Sequence, residues 1–162
     1  MIVRKAIPAD AFQLAELMKH VEDSNFMLFE PGERQTTTEQ LEKRLAAMDE
    51  ESVVLVTEEQ RELTGYLFAI GDTVKRKRHS VYIAVGVRQS ERGKGRGTGL
   101  FQALDRWAAE KGIRRIELTV LEHNRPAIGL YQKLGFDIEG LKRDSVRLGD
   151  HYANELYMAK LL

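Results

Sequence analysis

The sequence predicts an α+β fold, an α/β mixed sheet, and three observations carry that expectation. Segments with strand period come first in succession, later ones alternate with helical segments, and a glycine-rich turn joins one strand directly to one helix. At 162 residues, with no repeat, low-complexity tract or linker, the chain reads as one domain spanning 1–162.

The elements follow in order. Ile2 to Ala6 reads as a short strand. Pro8 and Asp10 open a helix whose apolar positions are Phe12, Leu14, Leu17, Met18 and Val21. Asn25 to Gln35 has no period and contains Pro31-Gly32, so a loop is expected. Thr36 with Glu39 has capping-box spacing, and Leu41, Leu45 and Met48 carry a second helix to about Glu50. Val53–Thr57 and Leu63–Ile70 form a hairpin joined through Glu58 to Glu62.

After a polar link, Val81, Ile83, Val85 and Val87 alternate with Tyr82, Ala84 and Gly86, the period of a strand. Leu100, Phe101, Leu104, Trp107 and Ala108 then recur at helical spacing and stop at Gly112. Arg115 to Val120 is a strand. Pro126 starts a helix with Ala127, Leu130, Tyr131 and Leu134, ended by Gly135. Phe136–Lys142 and Asn154–Lys160 close the chain as paired strands.

Composition narrows the function. Lys plus Arg equals Asp plus Glu at 25 each, so nothing drives the whole chain toward nucleic acid or an anionic membrane. Basic runs such as Lys75–Arg78 lack interleaved aromatics, which argues against nucleic-acid binding. With no cysteine there is no disulfide, thiolate catalysis or cysteine-ligated metal. His20, His79 and His151 show no metal-ligand spacing, so no metal is expected. Met1 to Lys5 enters a strand without a signal-peptide apolar region, and a cytoplasmic protein is expected.

The chemistry concentrates in Arg92-Gly93-Lys94-Gly95-Arg96-Gly97-Thr98-Gly99. A glycine-rich turn opening a helix cradles anions, because bare N–H groups and the helix N-terminus face the ligand. Three cations in the same loop imply a ligand with several phosphates. No window fits the Walker loop, and glycines at 93, 95, 97 and 99 do not fit G-x-G-x-x-G after a first strand. The segment resembles instead the R/Q-x-x-G-x-G/A loop of the GNAT acetyltransferase superfamily, with Arg92, Gly95 and Gly97 in the defined positions.

A second segment strengthens the likeness. Asn124 to Phe136 is similar to the N-x-x-A-I-x-L-Y-x-K-x-G-F stretch that follows the fifth strand of GNAT enzymes, and it begins 26 residues after Thr98. The resemblance implies the GNAT-like acyl-CoA N-acyltransferase fold, a mixed antiparallel/parallel sheet of about six to seven strands flanked by about four helices. It implies an N-acetyltransferase that moves acetyl from acetyl-CoA to a primary amine of a small molecule, protein or peptide. Without a cysteine to hold the acetyl group, attack is direct, in a ternary complex. The alternative is a non-catalytic acyl-CoA-binding or sensing module. The acceptor, a homodimeric state and the use of other acyl groups stay open.

Residue roles follow from the resemblance. The fourth and fifth strands of the family splay, and main chain of the fourth pairs with the pantetheine arm. Val85 and Val87 are the candidates, although they read equally as core valines. Gly93, Gly95 and Gly97 offer N–H groups to the diphosphate, Thr98 a hydroxyl, and Arg92, Lys94 and Arg96 charge. Arg96 replaces a usual aliphatic residue and is expected toward solvent. Tyr131 is the candidate general acid to the CoA thiolate, or a core aromatic. Asn124 binds the pantetheine or an ordered water, caps its helix, or does both.

The general base is unassigned. Where many relatives carry a glutamate on the fourth strand, this chain offers Ser80, Tyr82 and Ala84. The candidates are Glu117, Glu122, His123 and Glu33, acting directly or through water. The loop at 25–35 is expected over the acceptor cleft, with Phe26, Phe29, Glu30 and Glu33 as substrate contacts.

Overall fold

The computed structural model describes residues 1–162. The strands are β1 (Ile2–Lys5), β2 (Val53–Glu59), β3 (Glu62–Gly71), β4 (Ser80–Val87), β5 (Arg115–Leu121), β6 (Asp137–Leu148) and β7 (His151–Leu161). The helices are α1 (Ala11–Glu22), α2 (Thr38–Ala46), α3 (Arg96–Lys111) and α4 (Arg125–Lys133). All seven strands join one sheet in the order β1-β2-β3-β4-β5-β7-β6. Every pair is antiparallel except β4 with β5, the pair that needs a crossover, and α3 supplies it. No helix is long and apolar enough to cross a membrane.

Alternation along the strands makes two cores. On β2, Val54 and Val56 face α1 and α2, where they pack with Leu14, Leu17, Leu41, Tyr66 and Phe68. Val53 and Leu55 face the other way and pack with Leu100, Phe101, Leu104 and Trp107 of α3. Tyr131 of α4 and Phe136 close the second core.

Several boundaries differ from the sequence expectation. The capping box of α2 is Thr37 with Gln40: the Gln40 N–H donates to Thr37 Oγ1 at 3.2 Å, and the Thr37 N–H to Gln40 Oε1 at 3.0 Å. Thr36/Glu39 and Thr37/Gln40 both satisfy the pattern, and the pattern alone does not choose between them. α2 stops at Ala46 rather than near Glu50. Phe12 is 65% exposed, because the buried stripe of α1 runs through Ala11, Leu14, Ala15, Met18 and Val21.

The β2–β3 hairpin turns on Gln60 and Arg61, both with positive φ (51° and 68°). That is the geometry of a two-residue primed turn, so the strands extend into the expected five-residue link. β6 and β7 are likewise longer than the pattern indicated and turn at Gly149, whose φ is 64°.

Candidate active site

The site is a fork in the sheet. β4 and β5 are in register only at Ser80/Arg115, Val81/Ile116 and Tyr82/Glu117, after which their pairing ends. The Arg88 N–H, just past β4, donates to the Thr64 carbonyl of β3, and the His79 carbonyl accepts from Arg114 and Arg115 on the other side. Alternation therefore turns the main-chain groups of Val85 and Val87 toward β5, where no strand meets them. Their side chains remain half-buried, with Val85 packed against the α3 core.

A cleft of about 540 Å³ opens along this unpaired edge. Its far wall is the loop before α3 and the first turn of that helix. Gly93 (φ 74°) and Gly95 (φ 78°) bend the chain into the left-handed region, and Gly95 is the N-cap. The Gly99 N–H donates to the Gly95 carbonyl at 2.9 Å, which begins the helical ladder. The N–H groups of Arg96, Gly97 and Thr98 precede it and have no intrahelical acceptor, and no side chain caps them. They line the cleft, an uncapped helix N-terminus suited to an anion.

The glycines thus divide into two pairs. Gly97 and Gly99 have ordinary helical backbone and serve packing. A Cβ on Gly97 would lie 3.2 Å from Leu130 Cδ2, and one on Gly99 2.9 Å from Met1 Cε. Gly97 lets α3 approach α4, and Gly99 lets it approach β1.

The loop's cations are mostly committed. The Arg96 guanidinium donates to Glu91 Oε2 (2.7 Å from its Nη2) and is also paired with Glu59. Its side chain lies between these carboxylates, largely covered rather than turned to solvent. The hydrogen bond from Arg96, then that from Lys94, holds the Glu91 carboxyl below its ordinary range. Lys94 lies 3.1 Å from Glu91 Oε1 and lines a neighbouring polar groove with Glu59 and Glu62, not the cleft. Arg92 lines the cleft and donates from Nε to the Val87 carbonyl at 3.4 Å.

Tyr131 stands at the junction of cleft and core. Its ring packs on Phe101 (centroids 5.8 Å apart) and Phe136 (6.0 Å), and those two meet edge-on at 5.6 Å. Burial, and secondarily the neighbouring Tyr82, pushes its phenol up to about 12. Asn124 also lines the cleft and caps α4, its Oδ1 accepting from the Ala127 N–H at 3.4 Å.

The cleft thus gathers Val85, Val87, Arg92, Gly93, Gly95, Arg96, Gly97, Thr98, Asn124 and Tyr131. Of the expected substrate contacts, Phe26 lines the cleft, whereas Phe29, Glu30 and Glu33 do not. Phe29 lies under the Arg34 guanidinium at 4.3 Å, and Glu33 accepts from the Glu30 N–H at 2.8 Å, so these residues brace their own loop. The same loop reaches the cleft through Phe26 and Met27, and the Phe26 ring lies 5.6 Å from His123. Val21 and Ser24, at the end of α1, also line it and had no sequence signal beyond the helix terminus. Among the base candidates, Glu117 accepts from Arg115 Nε at 2.7 Å and Glu122 from Asn154 Nδ2 at 3.0 Å.

Comparison with known proteins agrees with this geometry. Residues 14–136 match the model of the Acetyltransferase (GNAT) family. The L-amino acid N-acetyltransferase AaaT of Escherichia coli (strain K12) is 36% identical over 97 residues, covering 56% of this chain and 57% of that protein. The chain spans about half the length of the curated relatives it matches. Among solved structures, an acetyltransferase of GNAT family from Streptococcus pneumoniae superposes with a TM-score of 0.94 at 28% identity, over 99% of both chains. The yncA structure from Salmonella typhimurium, solved with its cofactor acetyl-CoA, gives 0.86 at 24% identity, over 100% of this chain and 94% of that one. The family match covers most of the chain, both sequence motifs fall in it and the forked sheet accompanies it: the chain belongs to the Acetyltransferase (GNAT) family.

Proposed function

We propose that the chain transfers the acetyl group of acetyl-CoA to a primary amine by direct attack in a ternary complex. One observation carries the reading: the main-chain edge at Val85 and Val87, which no strand pairs, shares one cleft with an uncapped helix N-terminus and Tyr131. An amide-bearing arm adds to such an edge as a strand would. A diphosphate suits the free N–H groups of Arg96, Gly97 and Thr98, with Arg92 as the available counter-charge.

Tyr131 then serves the leaving thiolate, in a narrower role than general acid. A phenol pushed up to about 12 is a weaker acid than a thiol, whose ordinary pKa is about 8.5. It keeps its proton and donates a hydrogen bond to the sulfur as negative charge develops there. The proton that sulfur finally takes comes from the attacking amine.

For the acceptor we infer a small-molecule amine, with L-amino acids first, after the activity named for AaaT. Phe26 and Met27 offer that acceptor an apolar wall. The reading is tested by free-thiol release from acetyl-CoA across a panel of L-amino acids, other small amines and peptide N-termini. Release that requires an amine supports it. Thermal stabilisation by acetyl-CoA without such release would describe a binding module instead.

A further inference from the structure

The fork closes on a pair of hydroxyls. Tyr82 and Glu117 are the last residues of β4 and β5 in register, and Tyr82 Oη lies 2.7 Å from Oγ1 of Thr119, two residues past Glu117. This bridge spans the two strands where their main-chain pairing has stopped. Tyr82 is 45% exposed, so the bridge is open to solvent. Val85, three residues further along β4, begins the cleft. Tyr131, which lines the cleft, is near enough for Tyr82 to disfavour its ionisation.

The carboxylates on this side of the sheet are each paired with a cation: Glu22 of α1 with Arg34, and Glu155 of β7, opposite Leu121, with Lys142 at 3.8 Å. Glu117, opposite Tyr82 on β5, is held by Arg115, which Glu139 of β6 also binds. On β3, Ile70 opposes Tyr82, and on β7, Tyr157 opposes Thr119. Further along this face of β4, Ala84 is exposed and Gly86 is buried under the Tyr66 ring. An amine that arrives as an ammonium must still lose a proton before it can attack.

We propose, resting on the acetyltransferase reading above, that the Tyr82–Thr119 hydroxyl pair is the proton exit for the acceptor ammonium. The ammonium gives one proton through Tyr82 Oη and Thr119 Oγ1 to solvent. The neutral amine nitrogen then forms its bond to the acetyl carbon, and the carbon–sulfur bond breaks. The second nitrogen-bound proton neutralises the departing thiolate, so amide, free thiol and one released proton balance the ammonium and thioester consumed. Tyr82 contacts the amine or its water; Thr119 is a positioning residue that orients the Tyr82 hydroxyl.

The test uses acetyl-CoA with a mixture of the common L-amino acids, following thiol release from about pH 6 to pH 10. Tyr82→Phe keeps the ring at a half-exposed position, and its unchanged melting temperature and acetyl-CoA-induced stabilisation establish an intact cleft. Its rate falls about 100-fold at neutral pH, the range of a lost acid–base group. That deficit shrinks as the pH approaches the amine's own pKa, where the neutral amine is abundant. Thr119→Val loses less, and the double variant is no slower than Tyr82→Phe. A Tyr82→Phe rate within twofold of wild type at every pH overturns the relay alone, as does a deficit that is constant with pH. A wild-type protein with no amine-dependent thiol release overturns the relay and the acetyltransferase reading together.

Discussion

The Tyr66 ring lies across Gly86, so close that a Cβ at position 86 would sit 2.6 Å from Tyr66 Cζ. The two residues face each other in the β3–β4 register, which is regular through this stretch. A strand glycine suggests a bulge or a close approach; here the approaching group is a neighbouring tyrosine. Gly86 also lines the cleft, so this contact fixes the height of the cleft floor.

Gly86→Ala should therefore destabilise by about 1–3 kcal/mol, the usual cost of overpacking. For a domain of this size each kcal/mol lowers the melting temperature by about 2–4 °C. Tyr66→Phe should not restore it, because the colliding ring atoms remain, whereas Tyr66→Leu in the same background should recover part of the loss. Thermal denaturation of the single and double variants checks this.

The three loop cations should differ in worth to acetyl-CoA. Arg96 is clamped by Glu91 and Glu59, and Lys94 is paired with Glu91, while Arg92 lies on the cleft with a carbonyl as its partner. Arg92→Ala is expected to weaken acetyl-CoA binding about tenfold, and Lys94→Ala to change it little. Arg96→Ala should cost stability more than affinity, because it leaves Glu59 without its cation and Glu91 with Lys94 alone. Calorimetric titration with each variant separates these outcomes.

Tyr131 predicts a direction at high pH. Its folded pKa of about 12 lies above the unfolded value of about 10, so the folded state holds the proton more tightly. That contribution is fully present below about pH 10 and is lost as pH rises toward 12. Tyr131→Phe should flatten this part of the alkaline decline in denaturant-measured stability between pH 9 and 11. The same variant should lower turnover about 100-fold with little change in acetyl-CoA affinity.

At low pH the sensitive group is Asp10. Arg4 grips it with two hydrogen bonds (2.8 and 2.9 Å), and the Ile7 N–H adds a third at 2.8 Å. The hydrogen bond from Arg4 is the main cause that holds its carboxyl below the ordinary range. The stability it confers is present above about pH 4 and is lost as pH falls through the depressed value. Asp10→Asn should cost about 1–3 kcal/mol at neutral pH and make acid unfolding less steep, read from melts at pH 7 and pH 3.

How much of this was legible in the sequence depends on whether the signal was local. The strand run Val81–Val87, the glycine turn and the helix at Leu100 are local patterns, and they lie where the period placed them. Helix α3 begins at Arg96, inside the glycine run, because Gly97 and Gly99 serve packing partners on α4 and β1 that no local pattern reveals. Arg96 likewise looked free, since Glu59 lies 37 residues away in sequence. Phe26, rather than Phe29, reaches the cleft because Arg34 holds Phe29 within the loop, a contact settled by tertiary placement. The Tyr82–Thr119 pair spans a parallel crossover and has no sequence signature at all.

The most direct test is thiol release by the wild-type protein, measured with acetyl-CoA alone and with acetyl-CoA plus the amine panel. Release should be saturable in both substrates, depend on an amine, and yield the N-acetylated acceptor by mass spectrometry. Acetyl-CoA that raises the melting temperature while no amine accelerates thiol release would contradict the proposed activity.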